Sequence, residues 1–402
     1  MKIIKYLIIL FLLILNNTLY ANEQSFDKWL ESFKVNALEN NISETTFDTA
    51  MSHVTFLPKV LKYDRFQPEF YEDTNTYISK RSSNQKVDKG KRLYKKNKIF
   101  IDSIDKKFLV EKSLLLALMG VETNFGTYLG KMDILSSLST LSFDKRRSEF
   151  FTNELITILQ LIESEKIDPT ILYGSWAGAF GNFQFMPSTI DQYAIDYDKN
   201  DIIELKSTQD SFASAANYIN KIGWKKNQPC FVRVKLNKNV PKKLLNTSAK
   251  KLHNKNKFEV LKKYITDENS YLIDGNLIGS IITPDKDIIP DAETLEPAYI
   301  VFENYEKVLQ WNRSLRFGLA VCTLKKKFEN LKQYIIDKDS FTIDGNLIAA
   351  IITPDKDIIP NAENLEPAYI VFENYEKILQ WNRSLRFALA VCTLKSKFEN
   401  VL

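Results

Sequence analysis

Apolar residues recur three and four positions apart through much of the first half of the chain. The clearest stretches run from Phe26 to Ala37, from Leu109 to Glu122, from Glu149 to Ile162 and from Ser211 to Ile222. This spacing gathers the apolar side chains on one face of an α-helix. The pattern therefore predicts a compact helical domain over residues 22–225.

The pattern changes after Trp224. From Cys230 to Leu236, apolar and polar residues alternate as they do in a half-buried β-strand. A stretch rich in Lys and Asn follows, from Asn237 to Lys257, and this composition is typical of a loop or linker. We therefore expect a strand and a linker over residues 226–257.

The last part of the chain repeats itself. The sequence that begins at Phe258 returns almost unchanged at Phe328, and Trp311 returns as Trp381, 70 residues later. We interpret each copy as a short helix, a few strands and one amphipathic closing helix. Because a solenoid normally needs at least three repeats, two copies indicate a tandem duplication.

These patterns predict a mainly α (α+β) fold, with a helical domain followed by a small β-containing unit in two tandem copies. The first copy covers residues 258–327 and the second covers residues 328–402. A poorly ordered tail is the alternative interpretation of the second copy.

The first residues have the pattern of a secretory signal peptide. Lys2 and Lys5 come before the apolar run from Tyr6 to Leu15, and Ala21 offers a small residue for cleavage. We therefore expect residues 1–21 to be removed on export. An uncleaved anchor is the alternative, although the run is shorter than the roughly 20 residues that span a bilayer.

The composition of the chain argues against several classes of partner and of active site. The formal net charge of +5 comes without a basic stripe, so nucleic acid is not an expected partner. His53 and His253 lie far from every other motif, which leaves little from which to build a histidine-dependent triad or a zinc site. The three cysteines, Cys230, Cys322 and Cys392, are odd in number and widely spread, which argues against a disulfide framework.

Glu122 is the strongest candidate for catalysis. It closes the apolar run from Leu114 to Val121 and is followed by Thr123-Asn-Phe-Gly126. A carboxyl group in so apolar a setting tends to keep its proton near neutral pH, because burial disfavours the charged form. A general acid needs this property. The alternative is a helix-end Glu that points to water.

A glycine-rich segment supplies the second motif, Gly174-Ser-Trp-Ala-Gly-Ala-Phe-Gly-Asn-Phe-Gln-Phe-Met-Pro-Ser188. Glycine is favoured where the backbone approaches another group closely or takes a positive φ. The Ser, Trp and Gln among these glycines suit a groove wall that stacks on a sugar ring and hydrogen-bonds to it. The alternative is a turn between two helices.

The chain resembles the lytic transglycosylases of the membrane-bound lytic murein transglycosylase B family, which cleave the glycan strands of bacterial peptidoglycan. Besides the two motifs, the likeness includes a series of segments in the same order: Phe26-Asp-Lys-Trp-Leu30, Asn40-Asn-Ile-Ser-Glu-Thr-Thr46, Tyr63-Asp-Arg-Phe-Gln-Pro-Glu-Phe70, Lys89-Gly-Lys-Arg92, Leu141-Ser-Phe-Asp-Lys-Arg-Arg147, Asp196-Tyr-Asp198, Asn217-Tyr218 and Val308-Leu-Gln-Trp-Asn-Arg-Ser314. The whole series is far more specific than any one member. The resemblance implies a lysozyme-like helical catalytic domain.

The resemblance also implies the reaction, which is non-hydrolytic cleavage of the β-1,4 bond between N-acetylmuramic acid and N-acetylglucosamine. Glu122 would act first as acid and then as base, and the product would carry a 1,6-anhydromuramyl end. This chemistry requires no cofactor. Two alternatives stay open: a hydrolytic muramidase, which leaves reducing ends, and an inactive peptidoglycan-binding protein.

Further residues match substrate-binding positions of the family: Ser175, Gln184, Tyr218, Arg146, Arg147 and Asn312. We expect Ser175 and Gln184 to hold Glu122 and the polar groups of the substrate. Tyr218 is expected near the acid. Arg146 and Arg147 match a pair that meets peptide carboxylates, with simple solvation as the alternative.

The resembling family has a single C-terminal unit, whose Tyr-Asn or Trp-Asn pair packs against the sugar groove. Here both Trp311-Asn312 and Trp381-Asn382 match that pair. One groove accepts one closing helix, and the first copy is joined to the core as in the family. We therefore expect the first copy to close the groove and the second to be surplus.

A cation site is indicated by oxygen ligands that alternate along one segment: Asp196, Asp198, Asn200, Ile202, which can offer only its backbone, and the later Asp210. Alternating oxygens suit calcium. The spacing departs from the standard calcium loop, and Asp210 corresponds to a longer variant in the resembling family. We expect a structural Ca²⁺ or Na⁺ ion, against the alternative of a plain polar turn.

The signal peptide and the resemblance together predict a periplasmic protein. No cysteine follows the expected cleavage site closely, so lipid attachment is not expected. The expected partners are peptidoglycan glycan strands and proteins of cell-wall synthesis or remodelling.

Overall fold

The computed structural model describes residues 25–67, 71–266, 273–287, 295–329, 349–352, 369–381, 384 and 388–392. The predicted signal peptide, residues 1–21, lies outside these ranges. The chain divides into two compact units, Met1–Lys326 and Lys327–Leu402. Among the helices described here, none combines the length and the apolar character that crossing a membrane requires.

The first unit begins with a helical domain, which confirms the prediction from the apolar spacing. Its helices are α1 (residues 25–39), α2 (Glu44–Met51), α3 (Pro58–Arg65), α4 (Thr74–Arg81), α5 (Asn84–Lys96), α6 (Lys98–Phe108), α7 (Lys112–Thr123), α8 (Ile134–Phe143), α9 (Ser148–Glu163), α10 (Pro187–Tyr193) and α11 (Thr208–Lys221). Two strands, β1 (Met132–Asp133) and β2 (Tyr173–Gly174), pair antiparallel.

The core of this domain is built around α7 and α8. From Ser113 to Gly120, every residue of α7 is buried, and so is every residue of α8 except Phe143. Asp133 caps α8 by accepting a hydrogen bond from the Ser136 amide at 2.6 Å. A helix that is buried on all sides is held by the packing around it. The buried length of α7 therefore fixes the position of its last turn, at the C-terminal end of the helix.

A five-stranded sheet follows the helical domain. Its strands are β3 (Phe231–Val234), β4 (Leu245–Asn246), β5 (Asn256–Lys257), β6 (Ile278–Ile282) and β7 (Ala298–Phe302), in the order β3-β7-β6-β4 with β5 also on β6. The pairs are antiparallel except β4 with β6. The predicted strand from Cys230 to Leu236 is confirmed by β3. The predicted linker is wrong in part, because β4 and β5 pair with β6 inside it.

Three helices complete the first unit: α12 (Phe258–Lys262), α13 (Glu303–Trp311) and α14 (Leu315–Glu329). The Asn304 side chain, fully buried, donates to the carbonyl oxygens of Lys225 and Gln228 and accepts from the Lys225 amide. This side chain attaches α13 to the segment that follows α11. Helix α14 ends two residues beyond the predicted domain boundary at residue 327.

A buried carboxylate, Glu111, makes a second attachment between the helical domain and the C-terminal part of this unit. It accepts hydrogen bonds from Trp224 Nε1 at 2.5 Å and the Asn227 amide at 2.8 Å. Lys325 of α14 lies 3.5 Å away, and both members of this ion pair are more than 90% buried. A buried charge is stable only when it is paired and hydrogen-bonded, and this geometry meets both conditions.

The expectation of no disulfide is wrong for one pair. Cys230 and Cys322 form a disulfide with a Cα–Cα distance of 6.2 Å, and Cys392 lies outside it. The bond joins the residue before β3 to α14 across 92 positions of sequence. The odd number of cysteines arose because Cys392 is the duplicate of Cys322, so it carried no information about the pair in the first copy.

In the second unit, strands β8 (Ala349–Ile352) and β9 (Tyr369–Phe372) pair antiparallel, and helix α15 (Glu373–Trp381) follows. The register of this pair is that of β6 with β7: Gly279 lies opposite Phe302, and Ala349 lies opposite Phe372. Closely similar sequences thus form strand pairs with the same register in both units.

Candidate active site

Glu122 lies in the last turn of α7, and its side chain is partly buried. Its neighbour Thr123 is fully buried and donates a hydrogen bond to the Asn182 carbonyl oxygen at 2.8 Å. Three consecutive residues with positive φ follow: Asn124, Phe125 and Gly126. A positive φ is costly for a bulky residue such as Phe, and strain of this kind is often found at functional sites.

The glycine-rich segment lies against this turn, as the expected groove wall requires. Gly178 and Gly181 have φ values of +87° and +80°, and a Cβ atom at these positions would collide with Leu138 and Leu205. Both positions therefore need glycine for conformation and for space. The Asn182 side chain then ties the segment to Ser211 of α11 at 3.1 Å.

A partner of the acid comes from the other end of the first unit. Trp311, the last residue of α13, donates a hydrogen bond from Nε1 to Glu122 Oε1 at 2.9 Å. An indole N–H can only donate, so this contact holds Oε1 as an acceptor. The first copy of the repeat therefore contacts the candidate acid directly.

Aromatic rings hold the Trp311 indole in place. Tyr218 stacks on it with ring centroids 5.1 Å apart, and Tyr193 stacks on the far side of Tyr218 at 4.5 Å. The rings of Phe185 and Phe183 pack against the indole with centroid distances of 5.4 and 6.2 Å. The Tyr218 hydroxyl donates to the Gln310 carbonyl oxygen at 3.1 Å, and burial raises its pKa to about 12. Tyr218 is thus a neutral ring at physiological pH, stacked on the indole that contacts the acid.

Ser175 and Gln184 both lie in the glycine-rich segment. Ser175 Oγ accepts from the amides of Ala177 and Ala179 at 3.3 and 3.1 Å. Gln184 Nε2 donates to the carbonyl oxygen of Leu129, in the loop after Glu122, at 3.2 Å. Ser175 therefore stabilises a turn within the segment, and Gln184 joins the segment to the loop after Glu122. A role of either side chain in holding Glu122 or substrate stays a prediction.

Asn312 follows Trp311 immediately and is partly buried. Its backbone amide donates to the Val308 carbonyl oxygen at 3.1 Å at the end of α13. A contact of its side chain with Glu122 or substrate stays a prediction. Asn382, the matching residue of the second copy, lies outside the described residues, so the comparison of the two pairs stays a prediction.

The two arginines have a partner within the protein. Arg146 Nη1 lies 2.7 Å from Asp64 Oδ2, and Arg147 Nη2 contacts the other oxygen of the same carboxylate. The Asp64 side chain is 1% exposed, whereas the arginine side chains are 47% and 38% exposed. The two arginines therefore compensate the buried charge of Asp64. Their expected role with peptide carboxylates depends on the parts of their guanidinium groups that stay exposed.

The oxygens of the predicted cation site converge. Ligand atoms of Asp196, Asp198 and Asp210 all lie within 4.8 Å of one another. Buried Asp210 accepts from the amides of Tyr197 and Glu204 at 2.9 and 2.8 Å, which fixes the two ends of the loop around it. Asn200 and Ile202 are joined instead by a bond from the Ile202 amide to Asn200 Oδ1 at 2.9 Å.

The electrostatics of this loop favour a cation. Desolvation and the nearby Asp210 carboxylate raise the pKa of Asp198. Three backbone amides, of Lys199, Asn200 and Asp201, donate to the Asp196 carboxylate, and they contribute to lowering its pKa. Carboxylates this close repel one another, and a hard cation between them removes the repulsion.

The resemblance places the Trp311-Asn312 pair against the groove and matches Asn312 to a substrate-binding position. The structure adds a role for Trp311, because its indole contacts the acid directly. An indole that recurs next to a predicted groove residue, in a chain with 5 tryptophans, was the available signal.

A model of the transglycosylase SLT domain matches residues 25–326. Membrane-bound lytic murein transglycosylase B of Escherichia coli (strain K12) is 44% identical over 118 residues, which make up 29% of this chain and 33% of that protein. The aligned stretch thus spans one third of the length of that curated relative.

Solved structures share the fold. SltB3 from Pseudomonas aeruginosa, in complex with NAG-NAM-pentapeptide and with NAG-anhNAM-pentapeptide, has a TM-score of 0.66 at 28% identity, over 75% of this chain and 79% of that chain. Escherichia coli lytic transglycosylase Slt35 in complex with calcium has a TM-score of 0.62 at 24% identity, over 74% and 92% of the two chains, a likeness in fold alone. Since the domain model matches three quarters of the sequence, this chain belongs to the transglycosylase SLT domain family.

Proposed function

We propose that the protein is a peptidoglycan lytic transglycosylase. It cleaves the β-1,4 bond between N-acetylmuramic acid and N-acetylglucosamine and leaves a 1,6-anhydromuramyl end. The observation that carries this proposal is the Glu122 carboxyl group, placed at the end of a buried helix and held by Trp311 Nε1 at 2.9 Å. The glycan ligands of the related SltB3, one of them an anhydro form, support the substrate and the product.

Glu122 acts first as a general acid. Because the indole occupies Oε1 as a donor, the proton that is transferred belongs on Oε2. Its transfer to the glycosidic oxygen releases the leaving sugar, and positive charge develops at the anomeric carbon of the muramyl residue. The 2-acetamido oxygen of the substrate stabilises that charge, so this step needs one protein carboxyl group rather than the usual two.

Glu122 then acts as a general base. Its carboxylate removes the proton of the muramyl 6-hydroxyl, O6 bonds to the anomeric carbon of the same sugar, and the acid form of Glu122 is restored. Water is neither consumed nor released. The attack is intramolecular, which gives it the advantage of a nucleophile already in position.

The groove side chains hold the sugar in this geometry. Ser175, Gln184 and Asn312 offer polar atoms along the wall beside Glu122, and the ring of Tyr218 supports the indole from behind. Arg146 and Arg147 turn their exposed sides to the peptide carboxylates of the substrate.

The first C-terminal copy supplies the closing helix of the active site, and residues 328–402 form a second copy that the reaction does not use. The contact of Trp311 with Glu122 supports this assignment. The leader over residues 1–21 directs the chain to the periplasm, where peptidoglycan and the proteins that build or remodel it are its partners.

The loop from Asp196 to Asp210 binds a structural Ca²⁺ or Na⁺ ion. The convergence of three carboxylates and the raised pKa of Asp198 support this site. The ion would hold the loop that leads into α11, the helix that carries Tyr218.

The first prediction concerns the acid. Glu122→Gln should abolish release of anhydromuropeptides from purified peptidoglycan, because an amide of the same shape has no proton to donate. The expected loss is about 100-fold to 10,000-fold or more. Mass spectrometry of the digest gives the products, and the melting curve should match that of the wild type.

Three results would contradict this proposal. Reducing-end products from the wild-type protein would identify a hydrolytic muramidase. Undiminished cleavage by Glu122→Gln would show that another residue is the acid, and no cleavage by the wild type would favour an inactive binding protein.

The second prediction concerns the duplicated tail. A mature chain that ends at Glu329, the last residue of α14, should keep its melting temperature and its cleavage rate, because the closing helix is already present. In the full chain, Asn312→Ala should impair cleavage, whereas the matched Asn382→Ala should not. Loss of activity on truncation would mean that the second copy is integral to the enzyme.

The third prediction concerns the ion. Calcium should raise the melting temperature of the wild type, by the equivalent of about 2.7 kcal/mol at a hundredfold excess over the dissociation constant. Asp198→Asn should remove this increment without lowering stability in chelator, because it also removes a repelled carboxylate. Asp201→Asn, in the same loop, should keep the increment. Superimposable melting curves of the wild type in calcium and in chelator would rule out the site.

A further inference from the structure

Lys86 reaches from α5 to the last turn of α7. It is partly buried, and its Nζ donates a hydrogen bond to the carbonyl oxygen of Gly120, two residues before Glu122. The last four carbonyl groups of a helix have no partner within it and form the negative end of the helix dipole. In α7 these groups begin at Gly120, so Lys86 compensates the turn that carries the candidate acid.

The charge of Lys86 also acts on Glu122. Burial lowers the pKa of Lys86 to about 8, Arg81 and Lys89 act in the same direction, and Glu122 opposes them. The lysine is therefore a cation at neutral pH in a setting poor in water, where its field is screened less than at the surface. The reaction proposed above uses Glu122 and groups of the substrate, and it assigns no role to this cation.

We propose that Lys86 is a positioning residue for Glu122. It holds the turn that carries the carboxyl group, and its positive charge stabilises the carboxylate that exists between the two proton transfers. Stabilising charge where it develops is one of the largest sources of catalysis. This inference depends on the proposed acid and base roles of Glu122.

Removal of the Lys86 charge should shift the pH profile of activity in one definite direction. A nearby cation lowers the pKa of a carboxyl group, so removal of the Lys86 charge should raise the pKa of Glu122. Activity depends on the acid form, and it falls on the alkaline side as Glu122 ionises. Without the lysine charge, that alkaline limb should move to higher pH. Arg81 and Lys89 are present in both the wild type and the Lys86 variant. Their effect on the pKa of Glu122 is therefore the same in both proteins.

The test is the pH profile of kcat/KM on purified peptidoglycan for the wild type and three variants. Lys86→Gln should move the alkaline limb up by about half to one pH unit, the size of a partly screened Coulomb interaction, and lower kcat by about tenfold. Lys86→Arg keeps the charge and should keep the limb. Lys96→Gln removes an exposed cation from the same helix, about 15 Å farther along its axis, and should change nothing.

A uniform loss of activity in Lys86→Gln, with the limb unmoved, would show that the lysine is only structural and would overturn the inference. If Lys86→Gln does not fold, Lys86→Arg decides alone. Arginine stays charged above pH 8, so its limb must lie at or below that of the wild type, and a limb at higher pH contradicts the inference. Failure of the proposed function is distinct, because it appears in the products and in Glu122→Gln.

Discussion

The hydrogen bond between Trp311 Nε1 and Glu122 Oε1 organises the candidate active site, and it can form only because the two ends of the first unit fold together. It joins residues 189 positions apart. The acid lies in the last turn of α7, which is buried over most of its length, whereas the indole ends a helix that begins after the last strand of the sheet. The two can meet only if the sheet, α13 and α14 fold back onto the helical domain.

Buried polar groups fix this fold-back. Asn304 attaches the start of α13, Glu111 binds both Trp224 and α14, and Arg316 of α14 donates to Asp285, which also accepts from Thr74 of α4. Each group would be costly if left without its partner, by about 1–3 kcal/mol for a neutral donor or acceptor and more for a charge. A displaced C-terminal part would break several of these contacts at once. The position of the indole is therefore set by the whole interface and does not rest on its own hydrogen bond.

The features that can be predicted from the sequence are those that depend on residues close together along the chain. Apolar spacing is a property of one helix, so the helical domain and the buried part of α7 before Glu122 could be derived from neighbouring residues. The glycine-rich segment and the alternating aspartates are likewise local: Gly178 and Gly181 have a positive φ, and the carboxylates of Asp196, Asp198 and Asp210 converge, while their roles toward sugar and cation stay predictions. The strand pair of the second unit follows from its close similarity to the first.

The contacts that the sequence did not reveal are those between distant segments. Nothing near Arg146 and Arg147 indicates Asp64, 82 and 83 positions earlier, and nothing near Cys230 indicates Cys322. Trp311 was visible as one member of a repeated pair, but its partner was not. In each case the pairing is set by tertiary packing, and a single sequence shows the types of residue without showing which of them meet.

The most direct test of this account is the activity of Trp311→Phe against that of Trp381→Phe, its duplicate. Phenylalanine keeps an aromatic ring for Tyr218 and Phe185 to pack on and removes the N–H donor. A hydrogen bond to a charged group contributes about 1.5–3 kcal/mol, so Trp311→Phe should lower kcat by about 10-fold to 100-fold, with the melting temperature little changed. Trp381→Phe should cleave peptidoglycan like the wild type. Wild-type activity in Trp311→Phe would contradict the claim that this contact organises the active site.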